Sequence, residues 1–337
     1  MRADLLSPRN VIPLLALSAR TVVVREPSEP GRWGSKLEDL PKVSVIVPAH
    51  NEGARVGRCL EALQSQSYPS ASIEILLVDN NSTDDTADIA RRLGVTCLTE
   101  SIQNAENARN TGARSSSGSV LAFTDADCIA DADWIESGVA ALRGHDLVAG
   151  FVQFTPGSAR WSLWQTYDAV FNLQHEESVR DRGVAFTANL FLPRSLYDSL
   201  GGFPEDSLGG GDFLLTRRAS EEGRSLGYEP RAIVAHPARS FSELRSKARR
   251  IGAEKAAAWK RGGSDRVEGG RRTAIGKPHF VGALPEAVQR RMERQGLGFA
   301  WGTYLGLLGC NLVYLAFGLQ GWLEGLLRSP AGVERVR

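Results

Sequence analysis

The chain has 337 residues, of which 42% are hydrophobic and 23% charged, and this composition excludes a disordered protein. Its 40 Lys and Arg against 39 Asp and Glu argue against a nucleic-acid-binding protein that holds many phosphates. The charge is uneven, however, because the part from Pro237 to the end has 18 basic and 8 acidic residues. That part favours an anionic partner, such as a membrane face or a lipid phosphate.

The N-terminal region and the cysteines bear on the cellular setting. Apolar stretches near the start are interrupted by Pro13 and Arg20 without a small-residue cleavage site, so we predict no signal peptide. Residues 25–41 are rich in Pro, Gly and charge, and we therefore treat 1–41 as an N-terminal extension and linker. No CxxC pair occurs, which predicts neither a disulfide framework nor a zinc site and favours a reducing, cytosolic setting. The four cysteines are Cys59, Cys97, Cys128 and Cys310.

From Lys42 onward, short β-branched runs alternate with amphipathic segments. The predicted strands are 43–47, 74–78, 95–98 and 119–124, and the predicted helices are 53–66, 83–93 and 104–115. Ser82 stands where an N-cap would begin the second helix. This alternation predicts an α/β fold with a Rossmann-like, mostly parallel sheet and helices on both faces.

After Gly150 the alternation is lost, which marks a change of role along the chain. We predict a domain over 42–240, with a nucleotide-binding half at 42–150 and an acceptor half at 151–240 that contains a helix over about 212–223. A basic helical region at 241–294 and an apolar, membrane-associated segment at 295–327 complete the chain as a helical, partly apolar appendage.

Polar residues follow three of the predicted strands. These strand ends are Pro48-Ala49-His50-Asn51-Glu52, Asp79-Asn80-Asn81-Ser82 and Asp125-Ala126-Asp127. Ligands of an open α/β sheet lie beyond the carboxyl ends of its strands, so these groups are expected in one crevice. Asp125 and Asp127, two residues apart after an extended run, have the oxygen ligands that suit Mg²⁺ or Mn²⁺. A dinucleotide site would need Gly-x-Gly-x-x-Gly after the first strand, and that motif is absent.

The motifs from about Val43 to about His236 resemble the family 2 glycosyltransferases, which have a GT-A fold. The segments that carry the resemblance are VSVIVPAHNE, LLVDNNSTDDT, ENARNTGARSSSGSVLAFTDADC, Gly201-Gly202-Phe203 and the run from Asp212 to Arg218 with Gly223. Each segment is weak alone, but the set is specific.

The resemblance implies a role for each matching residue. Pro48, Ala49, Asn51 and Glu52 would line the nucleotide, Asp79 would bond the base, and Arg109 would lie near the nucleotide or diphosphate. Asp125 would reach the ribose and a Mn²⁺ or Mg²⁺ ion, Asp127 would bind that ion, and His236 would approach the ion or the diphosphate. Asp212 would be the general base for the acceptor hydroxyl.

Two departures from the family pattern matter. The family commonly has Glu-Asp at the position of the base, whereas this chain has Gly211-Asp212, which leaves Glu205 and Asp206 as alternative bases. The Gln-x-x-Arg-Trp motif of processive synthases is missing, since the corresponding region begins Arg245-Ser-Lys-Ala-Arg-Arg. Transfer of a single sugar is therefore favoured over polymerisation.

Several of these residues also have a purely structural interpretation. His50, Asn80 and Asn81 fit a turn, and His236 fits a hydrogen-bonded residue at a domain edge. Arg109 is placed to pair with Glu106 on the same helix. The basic run Arg245, Lys247, Arg249 and Arg250 fits a solvated helix face as well as a phosphate clamp. The aromatic residues Trp161, Trp164, Tyr167 and Phe171 fit core positions better than an acceptor platform.

The expected function is therefore an inverting, metal-dependent, non-processive hexosyltransferase that uses a nucleotide-diphosphate sugar, with a lipid or a cell-envelope glycan as a candidate acceptor. One alternative is a non-catalytic, membrane-associated protein that binds nucleotide sugars or acts as a scaffold, which Gly211 keeps open. Sugar-phosphate nucleotidylyltransferases share a related fold but need a Gly-rich loop after the first strand, which is absent.

The segment from Gln295 to Leu323 has 29 residues without a charge, and a bilayer core needs about 20. Trp301, Tyr304 and Trp322 lie towards its ends, as in aromatic belts. We expect the enzyme on the cytoplasmic face of the cell membrane, with the cytoplasm as the alternative. The segment either spans the bilayer or lies in its interface as an amphipathic or hairpin structure, because glycines dilute the apolar run.

Overall fold

The computed structural model describes residues 40–157, 160–205, 209–260 and 284–327. Eight strands form one sheet: β1 Val43–Ala49, β2 Ile73–Asp79, β3 Thr96–Thr99, β4 Val120–Thr124, β5 Ile129–Ala130, β6 Leu147–Thr155, β7 Asn189–Pro193 and β8 Leu226–Pro237. The helices before the C-terminal part are α1 Gly53–Gln64, α2 Thr86–Arg92, α3 Ala105–Ser115, α4 Trp134–Ala141, α5 Leu163–Phe171, α6 His175–Arg182, α7 Arg194–Ser199 and α8 Gly211–Glu221. The C-terminal helices are α9 Phe241–Lys260, α10 Pro285–Arg294 and α11 Trp301–Leu327.

The strand order is β3-β2-β1-β4-β7-β6-β8-β5. The strands β1, β2, β3 and β4 are parallel, whereas β7 runs antiparallel to both β4 and β6. Since β7 is antiparallel to both of its neighbours, β6 runs in the same direction as β4 and β1. Strand β8 is parallel to β6 and therefore shares that direction. The carboxyl end of β8, with His236, therefore lies at the same edge of the sheet as the ends of β1, β2 and β4.

Helices cover both faces of the sheet, as the sequence predicted. One buried cluster of apolar residues includes Val45, Leu60 and Trp134, and the other includes Ile46, Phe123 and Leu215 on the opposite face. Neighbouring residues Val45 and Ile46 thus face opposite layers, which is why the parallel strands are continuous apolar runs. Both faces are apolar enough to be stabilised by burial.

Most predicted elements are confirmed, but the predicted N-cap at Ser82 is wrong. The helix begins at Thr86, with Asp85 as its first flanking residue. The Ser82 hydroxyl instead accepts a hydrogen bond from the backbone N–H of Asn51, 2.9 Å away. The Ser82 hydroxyl is thus used in a contact between two strand ends and not as a helix cap.

The C-terminal helices form a third buried cluster with α5, and this cluster includes Tyr167, Leu244, Met292 and Tyr314. The prediction that Tyr167 and Phe171 are core residues is confirmed, because both are buried there. Gln295 does not start α11 but follows α10, and its side chain bonds the backbone of β6 at Val152 and Phe154. The apolar segment is one continuous helix from Trp301, so the helical hairpin considered as an alternative is wrong.

Candidate functional site

The first two strand ends are held together by their own polar groups. Asn51, with a left-handed backbone (φ 56°), donates from its N–H to Ser82 and accepts from the N–H of Thr83, 2.8 Å away. The backbone N–H of Glu52 donates to the Thr86 hydroxyl at 2.8 Å. Asp79 is buried at the end of β2, where its carboxylate accepts from the N–H of Ser82. Residues 48–52 and Asp79 thus form one pre-ordered rim. We call this rim, together with Asp125 and Asp127, the strand-end cradle.

Three residues considered for turns do have structural partners. His50 has both ring nitrogens engaged, Nδ1 with the carbonyl of Asn80 at 2.8 Å and Nε2 with Gln103 at 2.8 Å. The buried Asn80 amide donates to two carbonyls of the next loop, Glu100 and Ile102. Asn81 adopts a left-handed conformation (φ 63°) and donates to Ser101. These contacts account for all three residues without a ligand.

Arg109 pairs across the cradle and not along its own helix. Its guanidinium donates to the carboxylate of Asp125 at 2.9 Å, and the structure gives it no ion pair with Glu106 among the described residues. The residue is 8% exposed, and its Nε is buried without a hydrogen-bond partner. Glu106 instead accepts a bond from the backbone N–H of Gly211 at 3.0 Å. Arg109 therefore has one buried donor without a partner beside its ion pair with Asp125.

Asp125, Asp127 and His236 form the centre of the site. Their ligand atoms all lie within 4.8 Å of one another, although His236 is about 110 residues from the acids in the sequence. The short strand β5 pairs Ile129 with Ala235 and so brings the turn that carries Asp127 against the end of β8. Two carboxylates and one imidazole at this spacing fit a divalent ion such as Mn²⁺.

The tautomer of His236 supports that fit. Its Nδ1 lies 2.7 Å from the carbonyl oxygen of Pro237, and a carbonyl only accepts, so Nδ1 carries the proton. Nε2 is then unprotonated: it accepts a hydrogen bond from the Arg239 guanidinium at 3.2 Å and lies 3.6 Å from the Asp127 carboxylate. Burial lowers the pKa of His236, which is 1% exposed, although the charge of Asp127 opposes that shift. A neutral imidazole with an unprotonated Nε2 is the form that binds metals.

Asp212 lies at the start of α8, on the other side of Arg109. Burial raises the pKa of its carboxyl group, while Arg109 works against that shift and Glu106 adds to it. A carboxylate with a raised pKa is a better proton acceptor near neutral pH. The alternative Glu205 pairs on the surface with Arg114 at 2.9 Å, and Asp206 lies outside the described residues. Glu106 packs where a side chain at Gly211 would stand, which explains why this position is glycine.

Two residues beside the centre were not predicted from the sequence: Asp168 and Arg239. Arg239 is three residues after His236 and contacts it, and that spacing was a signal that could have been used. Asp168 is fully buried on α5 and gives no such signal. Of the basic run predicted as a solvated face or a phosphate clamp, Lys247 lines a cleft and Arg249 pairs with Glu324 at 2.7 Å. Burial lowers the pKa of Lys247 to about 7.

Comparison with known proteins gives the chain relatives of one kind. The family described as Glycosyl transferase family 2 matches residues 44–199. Glycosyltransferase AglE of Haloferax volcanii is 39% identical over 255 residues, which cover 73% of this chain and 83% of that protein. The 4,4'-diaponeurosporenoate glycosyltransferase of Staphylococcus haemolyticus is 27% identical over 205 residues, 56% of this chain and 52% of its own length.

Solved structures agree on the fold. The mannosyltransferase PcManGT from Pyrobaculum calidifontis, in complex with GDP-Man and Mn²⁺, superposes with a TM-score of 0.57 at 21% sequence identity. The match covers 88% of this chain and 89% of that one. The fold of this chain is GT-A, as its resemblance implied.

Proposed function

The chain belongs to glycosyl transferase family 2, and on that premise we propose that it transfers a single sugar from a nucleotide-diphosphate sugar to an acceptor hydroxyl, with inversion at the anomeric carbon. The observation that carries the proposal is the cluster of Asp125, Asp127 and His236 within 4.8 Å at the sheet edge where the nucleotide rim also lies. The similar fold of a mannosyltransferase bound to GDP-Man and Mn²⁺ supports a donor of this class.

The residues of the cradle, together with Arg109 and His236, each have a defined task in this proposal. Pro48, Ala49, Asn51 and Glu52 line the nucleotide, and Asp79 accepts from the base. The buried Arg109 keeps Asp125 in place and directs its remaining donor towards the diphosphate. Asp125, Asp127 and His236 would hold Mn²⁺ or Mg²⁺, and the chemistry that such an ion supplies is stabilisation of the charge on the departing diphosphate.

Asp212 is the residue that we assign to the acceptor. Its carboxylate accepts from the backbone N–H of Phe213 at 2.7 Å and from that of Thr187 at 3.4 Å, which fixes its direction. Because burial raises its pKa, the carboxylate has a higher proton affinity than an exposed aspartate. It takes the proton of the acceptor hydroxyl as that oxygen attacks the anomeric carbon.

A thermal-shift screen tests the donor class. Nucleoside diphosphates and their sugar conjugates are added with and without Mn²⁺, since a ligand that binds the folded state raises its melting temperature by mass action. We expect a shift with one nucleoside diphosphate that grows when Mn²⁺ is present. The absence of any such shift across the set would overturn the proposal. Product analysis by NMR then gives the anomeric configuration, and hydrolysis of the donor without transfer would favour a protein that binds but does not transfer.

We further propose that the enzyme is held on a membrane surface by α11. Within the described residues this helix has the length and composition to cross a bilayer, and 28% of its most apolar stretch is buried. Its exposed residues recur every three or four positions and include Trp301 (64% exposed), Leu305 (63%), Leu312 (59%) and Leu319 (58%). They form one apolar stripe along the whole helix, which suits a helix lying in the interface.

The neighbour of α11 argues for this in-plane arrangement over a span. Helix α9 packs along it, and a Cβ on Gly252 or Gly321 would overlap the backbone of the other helix. A span would therefore draw Arg249 and Glu254 of α9 into hydrocarbon, where charges are costly. We expect the protein to sediment with anionic vesicles and to be released by carbonate. Replacing Leu312 and Leu319 with Gln should abolish sedimentation, and a protein that resists carbonate would contradict the in-plane arrangement.

A further inference from the structure

A second charged region lies beside the cradle. A cleft of about 770 Å³ runs from Asp127 to α9, and three of the cations that line it come from the chain after β8: Arg239, Lys247 and Arg250. We call these three side chains and the space before them the basic pocket. The carboxylates Glu52 and Glu243 also line the cleft, and Arg55, a fourth cation of the lining, lies within 3.5 Å of both and offsets one of these two charges.

Two of the three cations rest on a buried polar platform. Asp168, which is 0% exposed, accepts from the backbone N–H of Arg239 at 2.8 Å and from its guanidinium at 3.4 Å. The same carboxylate accepts from the amide of Asn172 at 2.8 Å, and the amide oxygen of Asn172 accepts from Lys247 at 3.0 Å. Asp168 thus orients Arg239 directly and Lys247 through Asn172, and both side chains line the cleft, where Arg239 also donates to His236 at 3.2 Å.

Lys247 has an unusual environment for a lysine. Among the described residues no carboxylate comes within ion-pair distance of its ammonium group, whose one hydrogen bond there goes to the neutral Asn172. Arg239 and Arg250 lie close enough to disfavour its charge, and burial lowers its pKa to about 7. A cation in this position gains from an anion in the cleft, because the anion would stabilise the ammonium form.

The basic pocket adjoins the nucleotide rim at Glu52 and extends from there along α9. Of the strand-end cradle, only Glu52 and Asp127 reach it. Its far end is Arg250, which pairs with Glu254 at 2.6 Å, and a Cβ on Gly209 would lie 2.7 Å from that Glu254 carboxylate. Gly209 lies two residues before the helix that carries Asp212. The pocket therefore borders the segment to which we assign the acceptor, and Asp79 is not part of it.

We propose that the basic pocket binds a phosphate group of the acceptor, held by Lys247, Arg239 and Arg250, so that the hydroxyl of the same molecule reaches Asp212. This inference rests on the proposed function and specifies its acceptor as a phosphate-bearing molecule. Phosphate is the anion that three convergent cations recognise best. The volume of the cleft exceeds that of one phosphate, which leaves room for the adjoining part of the acceptor.

Calorimetric titration of the full-length protein tests the proposal. The donor site is first saturated with Mn²⁺ and the nucleoside diphosphate that gives the largest thermal shift. Geranyl phosphate, inorganic phosphate and geraniol are then titrated separately. We expect the phosphate ester to bind under these conditions and geraniol to bind at least roughly tenfold more weakly. Lys247→Gln should weaken binding of the ester by roughly tenfold or more, and Lys247→Arg should restore part of it.

Lys255→Gln is the matched control, because Lys255 is an exposed lysine of the same helix that does not line the cleft. It should leave the affinity for geranyl phosphate within about twofold. Equal binding of inorganic phosphate and the ester would support the pocket and assign it a soluble phosphate, whereas preference for the ester would assign a lipid.

Three results would overturn the proposal. The first is that the ester no longer binds once the nucleoside diphosphate is bound. The second is an equal loss of ester affinity in Lys247→Gln and Lys255→Gln. The third is a loss of nucleoside diphosphate affinity in Lys247→Gln that is as large as the loss of ester affinity. The last result would place Lys247 on the donor diphosphate. In each case the thermal shift of the wild-type protein with the nucleotide stays unchanged, so the proposed function is judged separately.

Discussion

The strand-end cradle and the basic pocket adjoin each other, yet they are built in different ways. Every residue of the cradle is one of the last two residues of a parallel strand or of the three residues that follow it, so its position follows from the strand. The basic pocket draws on α5, the end of β8 and α9, and its platform joins Asp168 to residues 71 and 79 positions later. A site formed by strand ends tolerates distant change, whereas a site formed by packed helices depends on how those helices meet.

The largest effect is expected from the cradle. Asp127→Ala removes one carboxylate of the metal cluster, so metal-dependent turnover should fall by on the order of 10³-fold and Mn²⁺ affinity should fall with it. Melting of the protein without metal should change little, because the cradle is held by Asn51, Ser82 and Thr86. Calorimetry with Mn²⁺ and turnover assays measure both. Asp133→Ala removes an exposed acid of the same region outside the cluster, and a similar loss there would undermine the assignment.

The next effect separates binding from chemistry. Asp212→Asn keeps the shape of the side chain but removes the proton acceptor, so transfer should fall by roughly 10²-fold or more while donor affinity persists. Turnover and the nucleotide thermal shift are measured on the same preparation. Glu205→Gln serves as the control, since Glu205 makes a surface ion pair with Arg114. If Glu205→Gln is the inactive variant, the base lies upstream of α8.

A third change disrupts the packing of α9 against α11 and does not alter any residue of the cradle. A Cβ on Gly252 would overlap the carbonyl oxygen of Gly318 in α11, so Gly252→Leu should force α9 and α11 apart and cost about 1–3 kcal/mol. Hydrogen exchange should rise in both helices while the nucleotide thermal shift is retained. Gly309→Leu places the same side chain where nothing lies within 4 Å and should have little effect. A nucleotide site lost in Gly252→Leu would contradict the independence of the two regions.

The smallest effect concerns the pH dependence of transfer. The negative charge of Glu106 contributes to the raised pKa of Asp212, so Glu106→Gln should lower that pKa. The base would then remain deprotonated to lower pH, and the acid limb of the rate profile should move to lower pH. The amide oxygen of Gln retains an acceptor for the N–H of Gly211, which preserves the fold of the loop. An unchanged acid limb would mean that the limb belongs to another group.

Much of the fold was predictable because its determinants are local. Continuous β-branched runs define the parallel strands, and alternating amphipathic segments define the helices between them. Asp125 and Asp127 could be placed at a strand end from their neighbours alone. The predicted N-cap at Ser82 was wrong because the Ser82 hydroxyl instead accepts a hydrogen bond from Asn51, 31 residues away.

The sequence by itself therefore determined the four parallel strands β1 to β4, the helices between them and the polar groups at their ends, since each depends on residues within a few positions of one another. Only the tertiary structure decided that Arg109 pairs with Asp125 and not with Glu106, that His236 joins the two aspartates, and that Lys247 turns into a cleft. It also decided which face of α11 stays exposed. These outcomes depend on which residues, distant in sequence, are buried next to one another. The free energy of burying and pairing polar groups there exceeds that of local conformational preference, and a short segment of sequence does not reveal which groups will meet.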